Sequence, residues 1–357
     1  MGRGPGLSMD LLLQHLWDSS GTDLLLTGGA PPLFRIDGQL RALDEAAPLD
    51  PDDVERLLAG LLSEKDLARF RDRGELDFAF GWERRARLRG NAFMQRGTPA
   101  LALRMVPFDI PSFDDIGLPV AVRRLVDLPQ GLILVTGPTG AGKSTTLAAI
   151  VDHVNRRRRC HILTVEDPIE YVHQHRGGAV NQREVGEDTE SFDRALRSAL
   201  REDPDVLMVG EMRDLESIEI VLTMAETGHL VLATLHTNDT SQALDRLIGV
   251  FPGDRQDQVR MQLSACLSAV VYQRLVPRIG GGLVAAYEVL VGTAAVRNLI
   301  HEGKTRQLRN VITVSQRDGM QTLEMSLSEL VRAGTVSYQD AVDRSLYSKE
   351  VNRAADL

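Results

Sequence analysis

The chain has 357 residues, of which 43% are apolar and 25% charged, and a formal net charge of −9. Single cores stop growing near roughly 250–300 residues, so this length calls for two domains. The negative balance argues against a general nucleic-acid binder, which needs a basic footprint, and two cysteines, Cys160 and Cys266, are too few for a disulfide framework or a four-cysteine zinc site.

The opening MGRGPGLSMD is glycine-rich and lacks the apolar core of a signal peptide. No apolar run approaches the ~20 residues of a membrane span. A cytoplasmic location is the expectation. MDLLLQHLWDSS, from Met9, reads as a short amphipathic helix, and LLLTGGAPPLFRIDGQLRAL as a hairpin region punctuated by Gly and Pro. PLDPDDVERLLAGLLSEKDLARFRDRG has an acidic, proline-bearing start and helical periodicity that stops at Gly74. Three segments with period-two patterns come next, LDFAFGW, RRARLRGNAFMQ and PALALRMVP, the signature of an antiparallel sheet. Residues 1–107 are thus expected to form a mixed α+β domain. PFDIPSFDDIGLP is rich in proline and without periodicity, and residues 108–119 are read as a linker.

Residues 120–357 begin with short apolar strands alternating with helices: GLILVTG, CHILTVED, DVLMVGE and HLVLATLH. That alternation implies a parallel sheet covered on both faces. Beyond Phe251 the chain is expected to be mostly helical. The basic run NRRRRC, from Asn155, reads as a helix end whose cations face the C-terminal dipole. Both cysteines sit in apolar surroundings and are expected to be buried structural thiols.

GPTGAGKS, from Gly137 to Ser144, sits between an apolar strand and a helical pattern. That is the context a phosphate-binding loop requires. Gly137, Pro138, Thr139, Gly140, Ala141 and Gly142 would cradle phosphate oxygens with backbone N–H groups, and the helix N-terminus at Ser144 and Thr145 adds its positive dipole end. Lys143 would reach the β- and γ-phosphates and the Ser144 hydroxyl would ligate Mg²⁺. ATP and Mg²⁺ are the expected ligands.

Binding alone does not define an activity. In DPDVLMVGEMRD the strand ends just before Glu211, and ligands of parallel sheets bind beyond the strands' carboxyl ends. A carboxylate there can orient water for attack on the γ-phosphate. Gly210 occupies the place where an acidic residue usually stands beside the metal. LTVEDPIE ends another strand with Glu166, so Ser144, Glu166 and Glu211 form the expected metal set; a helix-capping role for Glu166 stays open. His236 comes after a strand and is placed to sense phosphate, whereas His229 precedes it, and either catalysis or packing at the strand's start is open to it.

GPTGAGKST, ILTVEDPIEYVH, REDPDVLMVGEMRDLESIE and TGHLVLATLHTNDT together resemble the four signature boxes of the type II/IV secretion ATPase superfamily. GTDLLLTGGAPPLFRIDGQL, RGNAFMQRG and AAVRNLIHEGKTRQL are similar to segments of its pilus-retraction branch, although Leu25 stands where that branch often has histidine. The short chain without a cysteine cluster favours that branch over pilus assembly or type II secretion ATPases. The resemblance implies a PAS-like N-terminal domain joined by a linker to a RecA-like P-loop NTPase domain with a helical C-terminal region. It also implies a homohexamer with ATP held between the two domains, where Arg89 and Arg104 approach the γ-phosphate. The implied work is pilus retraction, acting through an inner-membrane platform protein and indirectly on pilin, with no nucleic acid. For VRNLI, from Val296, the resemblance implies a coupling role; core packing is the alternative.

Overall fold

In a computed structural model, residues 7–19, 21–36, 39–44, 46–83, 85–107, 109–212 and 214–352 are described; the glycine-rich opening, residues 1–6, lies outside them. The chain divides into two units, Met1–Asp109 and Ile110–Leu357.

In the first unit, α1 (Met9–Asp18) starts at Ser8, whose hydroxyl accepts the Leu11 N–H, and buries Leu12, Leu13 and Leu16. β1 (Asp23–Thr27), β2 (Leu33–Ile36) and β3 (Gln39–Ala42) pair antiparallel in succession. The single helical stretch expected up to Gly74 is two helices, α2 (Pro51–Leu61) and α3 (Glu64–Arg73). Leu62 is extended, and the Ser63 side chain accepts the Asp66 N–H to begin the second helix. A serine that can satisfy a free backbone donor favours a helix start over continuation, a signal the periodicity of the stretch masks. β4 (Glu75–Trp82), β5 (Ala86–Gln95) and β6 (Thr98–Pro107) complete an antiparallel sheet of order β3-β2-β1-β6-β5-β4. The period-two pattern of β5 turns Ala86, Leu88 and Ala92 into the core with Leu57 and Phe70, leaving Arg87, Arg89 and Asn91 on the other face.

The second unit begins within the proline-rich stretch: Phe113 and Leu118 are buried with Val122, Val126 and Val151. After α4 (Val120–Leu125) come β7 (Gly131–Thr136), β8 (His161–Glu166), β9 (Ala179–Glu184), β10 (Val206–Val209), β11 (Leu230–Leu235) and β12 (Leu267–Pro277), all parallel. β13 (Leu283–Val291) pairs antiparallel with β12, giving the order β13-β12-β7-β11-β10-β8-β9. Alternate residues of β7 feed two cores. Ile133 and Val135 pack with Leu147, Ile150 and Val151 of α5 (Lys143–Arg157). Leu132 and Leu134 share the opposite core with α6 (Phe192–Ala199), α7 (Leu215–Glu226), α8 (Thr240–Gly249) and α9 (Gln256–Cys266). A strand buried on both faces reads as continuous apolar sequence for this reason.

Beyond Phe251 helices predominate, as expected, but two strands, β12 and β13, come after α9. Their sequences, LSAVVYQRLVP and LVAAYEVLV, carry the valine and tyrosine that favour strands. Helices α10 (Ala294–His301), α11 (Leu308–Val314), α12 (Leu323–Arg332) and α13 (Tyr338–Arg344) come after them. α12 and α13 cover Tyr272, Val276 and Ala286 of the two strands. Val296 and Ile300 of α10 are buried, and the Arg297 guanidinium donates to the carbonyls of Gly292, Ala265 and Leu267. The basic run closes α5, with Arg156 paired to Asp152. Cys160 and Cys266 are free and buried. Among the described residues no helix is long and apolar enough to cross a membrane.

Candidate active site

β7 ends at Thr136 and the backbone turns at Gly137, where φ is +146°. A Cβ there would also lie 2.4 Å from the Gln273 carbonyl oxygen of β12, so the turn needs glycine twice over. The loop closes at Gly142, and α5 starts with Lys143. A cavity of about 350 Å³ opens over this loop, lined by Thr139 to Thr145, Glu166, Glu211, Thr234 and His236 among others. That size is within the range of small-ligand sites.

Lys143 is only 8% exposed. Its ammonium donates to the carbonyls of Gly137 at 2.9 Å and Pro138 at 3.0 Å, and lies 3.4 Å from His236 Nδ1. Three donors meet three acceptors if Nδ1 is unprotonated, which puts the ring proton on Nε2. Nε2 in turn lies 3.3 Å from Glu211 Oε1. Burial lowers the Lys143 ammonium below its ordinary value, and the facing carboxylates of Glu211 and Glu170 oppose that shift. A cation, an imidazole and a carboxylate thus stand in line at the sheet's carboxyl edge.

Glu211 reaches this line because β10 ends against β8. The Gly210 N–H donates to Val165 O at 2.8 Å, and a Cβ on Gly210 would stand 3.4 Å from the Glu166 Cα. Glu166 is buried, and its Oε1 accepts from the Thr164 hydroxyl at 2.7 Å and Gln182 Nε2 at 3.1 Å. Burial pushes its carboxyl above the ordinary range, against those two donors and a hydrogen bond from the Glu170 backbone. The Thr145 hydroxyl meets the Tyr171 hydroxyl at 3.0 Å.

The structure therefore brings together the glycine loop, Lys143, Ser144, Thr145, Glu166, Glu211 and His236. It does not bring His229 to the cavity. His229 precedes β11 while His236 comes after it, and the six-residue strand between them spans roughly 20 Å. His229 Nδ1 instead lies 3.0 Å from the Met224 carbonyl and 3.3 Å from the Thr227 hydroxyl, holding the turn after α7. Arg89 and Arg104, in the first unit, lie directly opposite each other on β5 and β6. Arg104 is exposed and its Nε donates to Asp23 Oδ1 at 2.8 Å. Sequence reasoning missed Tyr171, His173, Gln182 and Thr234. Tyr171 and His173 lie within the motif ILTVEDPIEYVH, but nothing in the residue pattern marks Gln182.

A buried parallel sheet with a glycine loop, a buried lysine and a strand-end carboxylate at one edge defines a P-loop nucleotide-binding protein. The family described as Type II/IV secretion system protein matches residues 34–281, and the chain belongs to that family. It is 46% identical to the type IV pilus retractation ATPase PilT of Pseudomonas aeruginosa, over 94% of this chain and 97% of that protein. It is 47% identical to YggR, an uncharacterized protein of Escherichia coli, over 88% and 95% of the two chains. A crystal structure of the pilus retraction motor PilT with bound ADP matches with a TM-score of 0.91 and 46% identity, covering 96% of this chain and 98% of that one. The Legionella pneumophila ATPase DotB matches with a TM-score of 0.80 and 26% identity, over 95% and 96%.

Proposed function

We propose that this chain hydrolyses ATP as a motor of type IV pilus retraction. It works as a homohexamer at the cytoplasmic face of the inner membrane, recruited by a platform protein through which pilin subunits return to the membrane. The observation that carries the chemistry is the line Lys143–His236–Glu211 at the mouth of the glycine loop. Support for the retraction branch is the near-complete overlap with a retraction motor holding ADP. By contrast, the match to the type II secretion system protein E of Klebsiella pneumoniae covers 69% of this chain and 49% of that protein.

Backbone N–H groups of the glycine loop and the α5 N-terminus bind the phosphates. Lys143 exchanges the carbonyls of Gly137 and Pro138 for β- and γ-phosphate oxygens. Glu211, oriented by His236, positions the attacking water and takes its proton. The hard oxygen donors of Ser144, Glu166 and Glu211 suit Mg²⁺, which supplies charge neutralisation at the phosphates. Arg89 and Arg104 provide further positive charge to the transferring phosphoryl group; such arginines contribute about 10³–10⁵ in rate elsewhere. Loss of their bonds on hydrolysis turns chemistry into movement.

The decisive experiment is ATP turnover by the purified protein beside its mass in solution, for wild type and Glu211→Gln. The expected outcome is ring-dependent turnover that falls at least about 100-fold in the variant, as loss of a general base does, with ATP binding retained. Near-wild-type hydrolysis by Glu211→Gln removes Glu211 as the base. A monomer without turnover overturns the motor reading.

A further inference from the structure

β9 is the outer strand of the parallel sheet, and its Gln182 lies opposite Thr164 of β8. Both donor hydrogens of the Gln182 amide are used, and its oxygen accepts one bond. Nε2 donates to Glu166 Oε1 at 3.1 Å and to the Tyr171 carbonyl at 2.8 Å, while Oε1 accepts the His173 N–H at 2.7 Å. An amide has two donor hydrogens and one acceptor oxygen, and here all of them point at the nucleotide cavity's wall. The same oxygen of Glu166 also accepts the Thr164 hydroxyl.

The segment 167–173 runs around the cavity, which Pro168, Glu170, Tyr171 and His173 help to line. Two more bonds tie it down. Glu184, two residues along β9 from Gln182, accepts the Ile169 N–H at 3.1 Å, and the Tyr171 hydroxyl meets Thr145 in the first turn of α5. A carboxylate as buried as Glu166 is held by the donors its surroundings supply, since water cannot replace them. The Glu170 backbone also bonds that carboxylate, and Gln182 joins the same carboxylate to the backbone of Tyr171 and His173.

We propose that Gln182 is a positioning residue of this site, setting the Glu166 carboxylate and the 167–173 segment in one arrangement around the bound nucleotide. The inference rests on the ATP-hydrolysing reading above. Partners that orient a ligating or catalytic group typically matter by about 10–100-fold.

The test measures steady-state ATP turnover, and Mg²⁺-free binding of a fluorescent ADP analogue, for wild type, Gln182→Met, Glu166→Gln and the double variant. Methionine keeps the length of the side chain and removes its hydrogen bonds. Gln182→Met is expected to lower kcat about 10–100-fold, with ADP affinity changed by less than about threefold because the glycine loop and Lys143 are untouched. In the Glu166→Gln background the same change should lower the residual rate by less than about threefold, since residues acting through one another are not additive. Full multiplication of the two losses, a wild-type kcat in Gln182→Met, or equal loss of binding and turnover each overturns the proposal. Thr164→Val removes the second donor to the same oxygen and keeps the test informative should Gln182→Met fail to fold. It is expected to show the same split between kcat and affinity, and an unchanged kcat counts against the proposal. Wild-type turnover by Glu166→Gln removes the carboxylate's role itself, a failure read from that variant alone.

Discussion

His173 is a buried imidazole in the wall of the cavity, and that has a consequence for stability. It is buried, its Nδ1 has no hydrogen-bond partner, and burial pushes its imidazole down to about 4 from an ordinary 6.5. Between those two values the unfolded chain binds a proton that the folded chain refuses. Stability is therefore fully present above pH 6.5 and is lost as the pH falls through this window, by up to about 3 kcal/mol. Denaturant unfolding at pH 7 and pH 4.5 should show a shallower loss for His173→Leu than for wild type; identical losses would remove His173 from the account. Lys143 shows how legible a single residue can be. Its neighbours in GPTGAGKS announce a phosphate loop, and the structure places its ammonium on the Gly137 and Pro138 carbonyls of that loop. Gln182 is the opposite case. Its significance depends on facing Thr164 across a strand pair, and nothing local to AVNQRE states that pairing.

Elements show the same division. For the VRNLI stretch the family resemblance implies a coupling role, with core packing as the alternative. Val296 and Ile300 are buried, and Arg297 spends its guanidinium on three backbone carbonyls where α9 passes into β12 and β13 leaves the sheet. Arg297→Met leaves those carbonyls short of a donor, and a cost of about 1–3 kcal/mol in denaturant unfolding is expected. Asn298, exposed on the same helix, should tolerate alanine with stability unchanged. If Arg297→Met unfolds at the wild-type midpoint, the clamp carries no weight. The helix break at Leu62–Ser63 is hidden because apolar spacing continues across it, while the cap that makes it is one hydroxyl reaching one N–H. β12 and β13 escape sequence reading for a different reason. β12 lies between β7 and β13, and its apolar stretch AVVY does not separate strand from buried helix by periodicity alone; β13, at the edge, carries the apolar run VAAY, which is equally ambiguous.

At the scale of the whole molecule, a ring motor makes its activity depend on assembly. On the homohexamer proposed above, ATP turnover per subunit should rise with protein concentration in step with the ring's share of the mass, and then level off. Turnover that stays constant over about a 100-fold dilution, during which rings give way to monomers, would detach hydrolysis from the ring. The amino-acid sequence by itself determined the phosphate loop, the strand-end positions of Glu166, Glu211 and His236, the alternation that makes a parallel sheet, and the family. Each is encoded within a few consecutive residues, by glycine placement, by apolar runs and by the polar residues at their ends. Only the tertiary structure decided that His229 turns back on the Met224 carbonyl and that Gln182 reaches Glu166. The latter depends on which strands lie side by side and in which register, and register is set by packing over the whole sheet.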